Sequence, residues 1–401
     1  MAKTLVWLTH SFRTDSRLTT NLSGPCTFVY YSPFYFAGSR EKEILRNCSK
    51  QNLEAFYESL DIMRKSLKAI GHDFYVFKQS DPITHINNLI DKHGFTKVVI
   101  DLPSFGMWKT TDPMLIKVPF QLIDSDLIDD TCFNMTAKSR WMSHTRKIDL
   151  VKTNQWNSEI QTNPINEQSQ SYPSYTKNNL IMPHVITTRA FDIAPTYGQT
   201  RDKHSGQTRL STSFQNGTVD PQNTFYAIAN NFKSNGADFT KNEGAHASML
   251  RQFAFREMTI IQARRATLTM ESSITEWAKT FLTEKSYENL ISKTNPDSQL
   301  TFEQIRTATT HDSFVNQILT ESFQVGVMPN RARMFFAGWM FYNAPSGTQA
   351  HQWLIDTFDL LLIDGQCPTN YVQCTSAMNL QYGKVMLLNR HNVKALLAYE
   401  A

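Results

Sequence analysis

In the second half of this 401-residue chain, three polar clusters interrupt apolar helical patterns and bring together side chains capable of chemistry. The first is Tyr197-Gly-Gln-Thr-Arg-Asp202, followed by Gly206-Gln-Thr-Arg-Leu-Ser211. A hydroxyl-rich turn that opens a helix offers unsatisfied backbone N–H groups and the positive end of the helix dipole, which together suit a phosphate. An ordinary helix cap uses the same residue types. The second cluster is Leu250-Arg-Gln-Phe-Ala-Phe-Arg-Glu257. Leu250, Phe253, Ala254, Met258 and Ile261 recur at helical spacing as one stripe, and Gln252, Phe255, Arg256 and Thr259 form a second. One stripe packs on a core; the other faces a ligand or solvent. The third cluster is Asn330-Arg-Ala-Arg-Met334 at a helix start, with Leu362-Ile-Asp-Gly365 and Asn370 following. Arg331 or Arg333 pairs with Asp364 as a buried ion pair, in a structural or a functional role.

These clusters need elements to position them. Residues 4 to about 130 alternate short apolar runs (TLVWL, PCTFVYYS, DFYVF, KVVIDL) with helical patterns over Arg40–Ile70 and Asp81–His93. That order predicts βαβ units forming an open parallel sheet with helices on both faces. No Gly follows the first strand in WLTHSFRTD, so neither a dinucleotide fingerprint nor a Walker A loop is present there. From Met135 to Lys203 the chain is dense in Asn, Gln, Ser, Thr and Pro with little periodicity. Beyond it, helical patterns cover Ser211–Asn231, Ala247–Leu268, Ser273–Leu290, Thr301–Val325, Asn330–Tyr342 and Ala350–Leu362. The expected organisation is an α/β domain over 1–134, an interdomain connector over 135–203 and a helical domain over 204–401.

Composition narrows the class. With 41% hydrophobic, 12% aromatic and 19% charged residues, the chain has enough to bury that disorder, collagen and coiled coil are excluded. No apolar run approaches the roughly 18 residues of a membrane helix, and MAKTLVWLTHSFRTD is no signal peptide. An intracellular protein, cytoplasmic or nuclear and without a membrane partner, is expected. Cys26, Cys48, Cys132, Cys367 and Cys374 are scattered without CxxC spacing, so reduced thiols and no metal site are expected. A net charge of +4 does not decide for or against a nucleic-acid partner.

Taken in order, the clusters resemble the photolyase and cryptochrome family. The family's flavin domain reads Tyr-x-x-x-Arg-Asp, Thr-Ser-x-Leu-Ser, Trp-Arg-Glu-Phe, Met-His-Asn-Arg-x-Arg-Met and Leu-Ile-Asp-Gly-Asp, with an Asn four residues later. This chain has Tyr197 to Asp202, Gln207-Thr-Arg-Leu-Ser211, Phe255-Arg-Glu-Met258, Met328-Pro-Asn-Arg-Ala-Arg-Met334, Leu362-Ile-Asp-Gly-Gln366 and Asn370. The match spans about residues 195 to 390, and TLVWLTHSFRTD is similar, less closely, to the family's N-terminal strand and Arg-Asp turn.

The resemblance implies a light-driven DNA repair flavoprotein, a deoxyribodipyrimidine photo-lyase, in which FADH⁻ donates an electron to a flipped-out cyclobutane pyrimidine dimer. Tyr197 and the turn Thr208, Arg209, Leu210 and Ser211 would hold the phosphates and ribityl chain of FAD. Arg333 and Asp364 would lie against the isoalloxazine ring, with Gln366 beside it and Asn370 facing N5. Gln252, Phe255, Asn330 and Met334 would form the lesion pocket. Arg201, Arg256 and Arg331 fall on positions that face DNA phosphates. UV-damaged DNA is the implied partner and a monomer the implied state; no antenna chromophore is identified.

Several residues depart from the family. Phe255 stands where a Trp stacks on the lesion, Gln252 replaces a Glu, and Ser376 falls near a second lesion-flanking Trp. Cys374 and His351 occupy two positions of the tryptophan electron relay; Trp339 and Trp353 form either another route or core packing. Gln366 replaces an Asp near the flavin. Two further readings follow: a cryptochrome-like blue-light receptor that binds FAD without repair, and a flavin-free relative that binds nucleic acid. A cryptochrome-like tail after the last motif is not expected.

Overall fold

The computed structural model describes residues 2–31, 50–78, 81–102, 113–128, 133–134, 143–144, 154–169, 171, 183–200, 208–231, 245–268, 272–365 and 367–378. Its first half is built on strands β1 (Thr4–Leu8), β2 (Gly24–Tyr31), β3 (Phe74–Phe77), β4 (Lys97–Asp101) and β5 (Phe120–Ile123), in the order β3-β2-β1-β4-β5 and all parallel. Among the described residues, the α-helices between them are the short α1 (Arg17–Thr20), then α2 (Lys50–Ala69) and α3 (Pro82–His93). Successive side chains of a strand point to opposite faces. Leu5 and Trp7 of β1 pack with Ile83, Ile86, Leu89 and Ile90 of α3, whereas Val6 and Leu8 pack with Leu60, Met63 and Leu67 of α2. Each fully buried side chain of this kind contributes about 1.5–3 kcal/mol, which fixes the register. The start of α3 follows the expected signal: Asp81 caps it by accepting from Thr84 N–H, Pro82 occupies the first turn, and Gly94 ends it at φ 69°.

The stretch expected as a connector holds regular structure. Strand β8 (Ile160–Thr162) adds in parallel to the first residues of β2, pairing Gly24 with Ile160, and helix α4 (Pro183–Ile193) precedes the helical half. Between β5 and β8, β6 (Phe133–Asn134) and β7 (Ser143–His144) form a separate antiparallel pair. Three residues of strand are too few to show periodicity; the pairing comes from the neighbour.

After α5 (Tyr197–Thr200), three predicted helices are each split in two. Ser211–Asn231 becomes α6 (Leu210–Gln215) and α7 (Pro221–Asn231), separated by Gly217 at φ 63°, where a Cβ would lie 1.5 Å from the His10 carbonyl oxygen. Helix α8 (Ala245–Arg265) runs unbroken. Ser273–Leu290 becomes α9 (Ile274–Phe281) and α10 (Glu284–Ser292), restarted by the Thr283 side-chain cap. Thr301–Val325 becomes α11 (Phe302–Arg306) and α12 (Ser313–Val325), restarted by Asp312. A capping side chain inside an apolar period competes for the backbone and ends one helix while starting the next. Helices α13 (Asn330–Asn343), α14 (Gly347–Leu361) and α15 (Pro368–Ala377) complete the half around Phe335, Phe336, Leu354, Phe358, Tyr371 and Trp277.

The halves meet through buried polar contacts. Arg13 pairs with Asp220 at 3.3 Å and donates to the Gly217 carbonyl at 2.9 Å. The loop after β5 is held by α8: Arg256 pairs with the Asp126 carboxylate and donates to its carbonyl, Arg264 pairs with Asp124, and Ile128 N–H donates to Glu257 at 2.8 Å. In an open α/β sheet, ligands bind outside the strand ends where the strand order reverses, here between β1 and β4. Those amides are taken internally: the Asp101 carboxylate accepts from His10 N–H at 2.9 Å and Ser11 N–H at 2.6 Å, and from Ser11 Oγ at 3.1 Å. Among the described residues no helix is long and apolar enough to cross a membrane.

Candidate cofactor and substrate cleft

Residues of α5, α6, α8, α13 and α15 line a cleft of about 1100 Å³, open mouth included, and most of the expected site residues converge on it. Tyr197, Thr208, Arg209, Leu210 and Ser211 line it, as do Gln252, Phe255 and Arg256 of α8. Asn330, Arg333, Asp364 and Asn370 complete the set.

The N-terminal turn of α6 carries local strain. Arg209, its cap residue, adopts the left-handed conformation at φ 59°, which costs a non-glycine residue of order 1–2 kcal/mol. Its side chain is half-buried in the cleft, and burial, then repulsion from Arg189 of α4, lowers the guanidinium pKa. Among the described residues, three guanidinium groups and one carboxylate are the charged side chains lining the cleft, so it favours an anion.

Arg333 is the organising residue. Its Nε donates to the Met328 carbonyl at 2.6 Å, Nη1 to Asn370 Oδ1 at 2.8 Å and Nη2 to Asp364 Oδ2 at 2.5 Å. Its head lies 4.8 Å from the centroid of the Phe358 ring. Thus Arg333, and not Arg331, is the partner of Asp364, because two residues rotate the side chain by about 200° around α13 and carry Arg333 inward while Arg331 is exposed. Ser211 Oγ donates to the same Asp364 oxygen at 3.2 Å. Asp364 Oδ1 is buried, lines no hydrogen bond among the described residues, and is therefore an acceptor waiting for a donor. Asn370 donates one amide hydrogen to the Asp364 carbonyl and accepts from Arg333, leaving its second N–H.

Two expectations change place. Met334 lies outside the main cleft: it lines a small adjoining pocket with Ala337, Leu354, Phe358, Cys374 and Ala377. The two pockets share Asn330, Arg333, Asn370 and Gln373. Arg256, expected to face DNA phosphates, is instead committed to Asp126 and Glu257, with its head 5.0 Å from the Phe214 ring centroid. Burial pushes the Glu257 carboxyl up to about 8 even beside that guanidinium. Arg201 and Gln366 lie outside the described residues, as do Cys48 and Cys132.

At the relay positions, Cys374 and His351 are both buried. Burial lowers the His351 pKa to about 3, and its Nε2 lies 2.9 Å from the Thr375 hydroxyl. Trp339 stacks on Phe336, and Trp353, partly buried, lies against Phe302. The sequence reading missed Gln373, which its spacing three residues after Asn370 on one helix face would have flagged.

Neither a family model nor a curated protein sequence matches the chain. Solved structures do. A bacterial class III photolyase from Agrobacterium tumefaciens aligns at a TM-score of 0.68 and 15% identity, covering 99% of this chain and 87% of that one. An archaeal photolyase from Sulfolobus tokodaii, solved with two FAD molecules, aligns at 0.63 and 12% identity, covering 94% and 84%. The α/β sheet, the helical half and their order along the chain are shared with these proteins, and the chain has the photolyase fold.

Proposed function

We propose that this protein is a light-driven flavoprotein that splits cyclobutane pyrimidine dimers in ultraviolet-damaged DNA, a carbon–carbon lyase reaction. The observation that carries the reading is the Arg333–Asp364–Asn370 network lining the cleft, with Asp364 Oδ1 buried and lacking a partner among the described residues. These residues fit FAD: the orphaned carboxylate oxygen suits a ring N–H, the free Asn370 N–H suits a ring nitrogen, and Arg209 suits a phosphate. A reduced FAD in this cleft would supply, under illumination, the electron that opens the dimer.

The chain's own residues bind and orient. Tyr197 and the turn from Thr208 to Ser211 would hold the phosphate end of FAD, and Arg333 and Asp364 would hold its ring. Gln252, Phe255 and Asn330 hold the flipped bases, and Met334 closes the adjoining apolar pocket. Phe255 stacks on a base, an interaction worth roughly 1–3 kcal/mol. Flipping costs a few kcal/mol and least at a damaged base, so part of the selectivity precedes contact. Arg331, exposed at the start of α13, meets the DNA backbone. The protein is proposed to act inside the cell as a monomer.

A blue-light receptor without repair is the second reading, favoured by Phe255 and Gln252 standing where the family has Trp and Glu. The deciding measurement is the absorption spectrum of the purified protein before and after blue light with a reductant, followed by repair of an oligonucleotide carrying one thymine dimer. Photoreducible flavin and light-dependent repair are expected. Flavin without repair favours the receptor, and a colourless protein that FAD cannot reconstitute overturns both.

A further inference from the structure

Three side-chain amides from three helices line the cleft without a hydrogen bond to any described residue: Gln252 of α8, Asn330 of α13 and Gln373 of α15. All three are half-buried. Asn330 and Gln373 also line the apolar pocket beyond, so they sit where the two spaces join. Their neighbour Asn370 is different, because both ends of its amide are engaged by Arg333 and the Asp364 carbonyl.

Each free amide brings one acceptor and two donors and no charge. A ligand that closes over such groups must replace their water hydrogen bonds, because a desolvated, unsatisfied amide costs about 1–3 kcal/mol. A carboxylate or phosphate would use only the donors, and an ammonium only the acceptors. A pyrimidine matches better: its edge alternates carbonyl acceptors with an imide N–H, and its ring face is apolar. Beyond the junction, Met334, Ala337, Leu354 and Phe358 give the small adjoining space an apolar wall.

We propose that Gln373 is a specificity-determining residue that, with Gln252 and Asn330, reads the carbonyl and imide edge of a flipped pyrimidine at this junction. The assignment rests on the repair reading above and names the residue through which that site selects its substrate. The three amides themselves carry no titratable group.

The test uses flavin-loaded protein in the dark and two duplexes of one sequence, with and without a single thymine cyclobutane dimer, with affinities read by fluorescence anisotropy. Gln373→Leu is expected to bind the damaged duplex about five- to tenfold more weakly, the loss of one hydrogen-bonding group, with undamaged-duplex affinity and flavin occupancy unchanged. Gln373→Glu, acceptor-only when ionised, is expected to lose the same preference at pH 8 and to regain it as the pH approaches 4.5 and the carboxyl recovers its donor. If Gln373→Leu does not fold, Gln373→Glu carries the test. A preference undiminished in the folded variants overturns the role of Gln373 and leaves the repair reading intact. A wild-type protein that binds both duplexes equally overturns the two together.

Discussion

Ser211 and Asp364, 153 positions apart in the chain, share a hydrogen bond of 3.2 Å from hydroxyl to carboxylate. The bond joins the turn that opens α6 to the residue that neutralises Arg333, so the two ends of the proposed flavin site are set by one carboxylate. Replacing Asp364 by Ala leaves the buried Arg333 guanidinium uncompensated, at a cost of about 3–5 kcal/mol. The expected outcome is a protein purified without flavin and with a lowered melting temperature. Full FAD occupancy in that variant would refute the site assignment. Ser211→Ala, which removes one neutral-to-charged hydrogen bond, is expected to cost only about 1–2 kcal/mol and to weaken flavin binding without abolishing it.

Met334 separates cofactor binding from substrate binding, because it lines the smaller pocket and not the main cleft. Met334→Ala is expected to keep stoichiometric flavin and to lower the rate of dimer repair in blue light. Equal repair rates would place the lesion elsewhere.

Arg256 and Arg331 differ in burial, Arg331 being exposed at the start of α13. Arg256 is internally paired with Asp126 and Glu257 and joins α8 to the loop after β5. Arg256→Ala is therefore expected to destabilise the fold by about 3–5 kcal/mol by urea denaturation. Arg331→Ala is expected to leave stability within about 0.5 kcal/mol and to reduce the slope of log affinity for DNA against log salt by about 0.9. The reverse pattern, a salt effect from Arg256 and none from Arg331, would restore Arg256 as the phosphate contact.

His351 predicts an acid limb in the stability curve. Unfolded, the imidazole titrates near 6.5; in the fold, burial holds it near 3. Between those values only the unfolded chain takes up the proton, so stability is full above pH 6.5 and falls as the pH drops below it. The slope is at most about 1.4 kcal/mol per pH unit, or roughly 2 kcal/mol lost by pH 5. Urea midpoints at pH 8, 6.5 and 5 measure it, and His351→Gln is expected to flatten this contribution. An unchanged pH slope in that variant would assign the acid limb to other groups.

What was legible in the sequence was what local chemistry dictates. The β-branched and aromatic runs of β1 to β4, the Asp81-Pro82 helix start and the apolar stripes of α8 each state their structure within a few residues. Strand β8 did not, since Ile160-Gln-Thr has no period of its own and is ordered by the start of β2. The α6–α7 break was also hidden, because Gly217 turns the chain to meet His10, more than 200 residues away in sequence. Within the cleft, motif order led to Arg333, Asp364 and Asn370, which the fold brings into one hydrogen-bonded group. The same order misread Arg256, whose acidic partner Asp126 lies 130 residues upstream in a loop with no motif.

Asp101 bears on competition for nucleotides. A phosphate arriving at the reversal point of the sheet meets amides that a tethered carboxylate already occupies, at an effective concentration that free metabolites do not reach. The His10 and Ser11 amides at this end of the sheet are thereby closed to an incoming phosphate, which would first have to displace the Asp101 carboxylate.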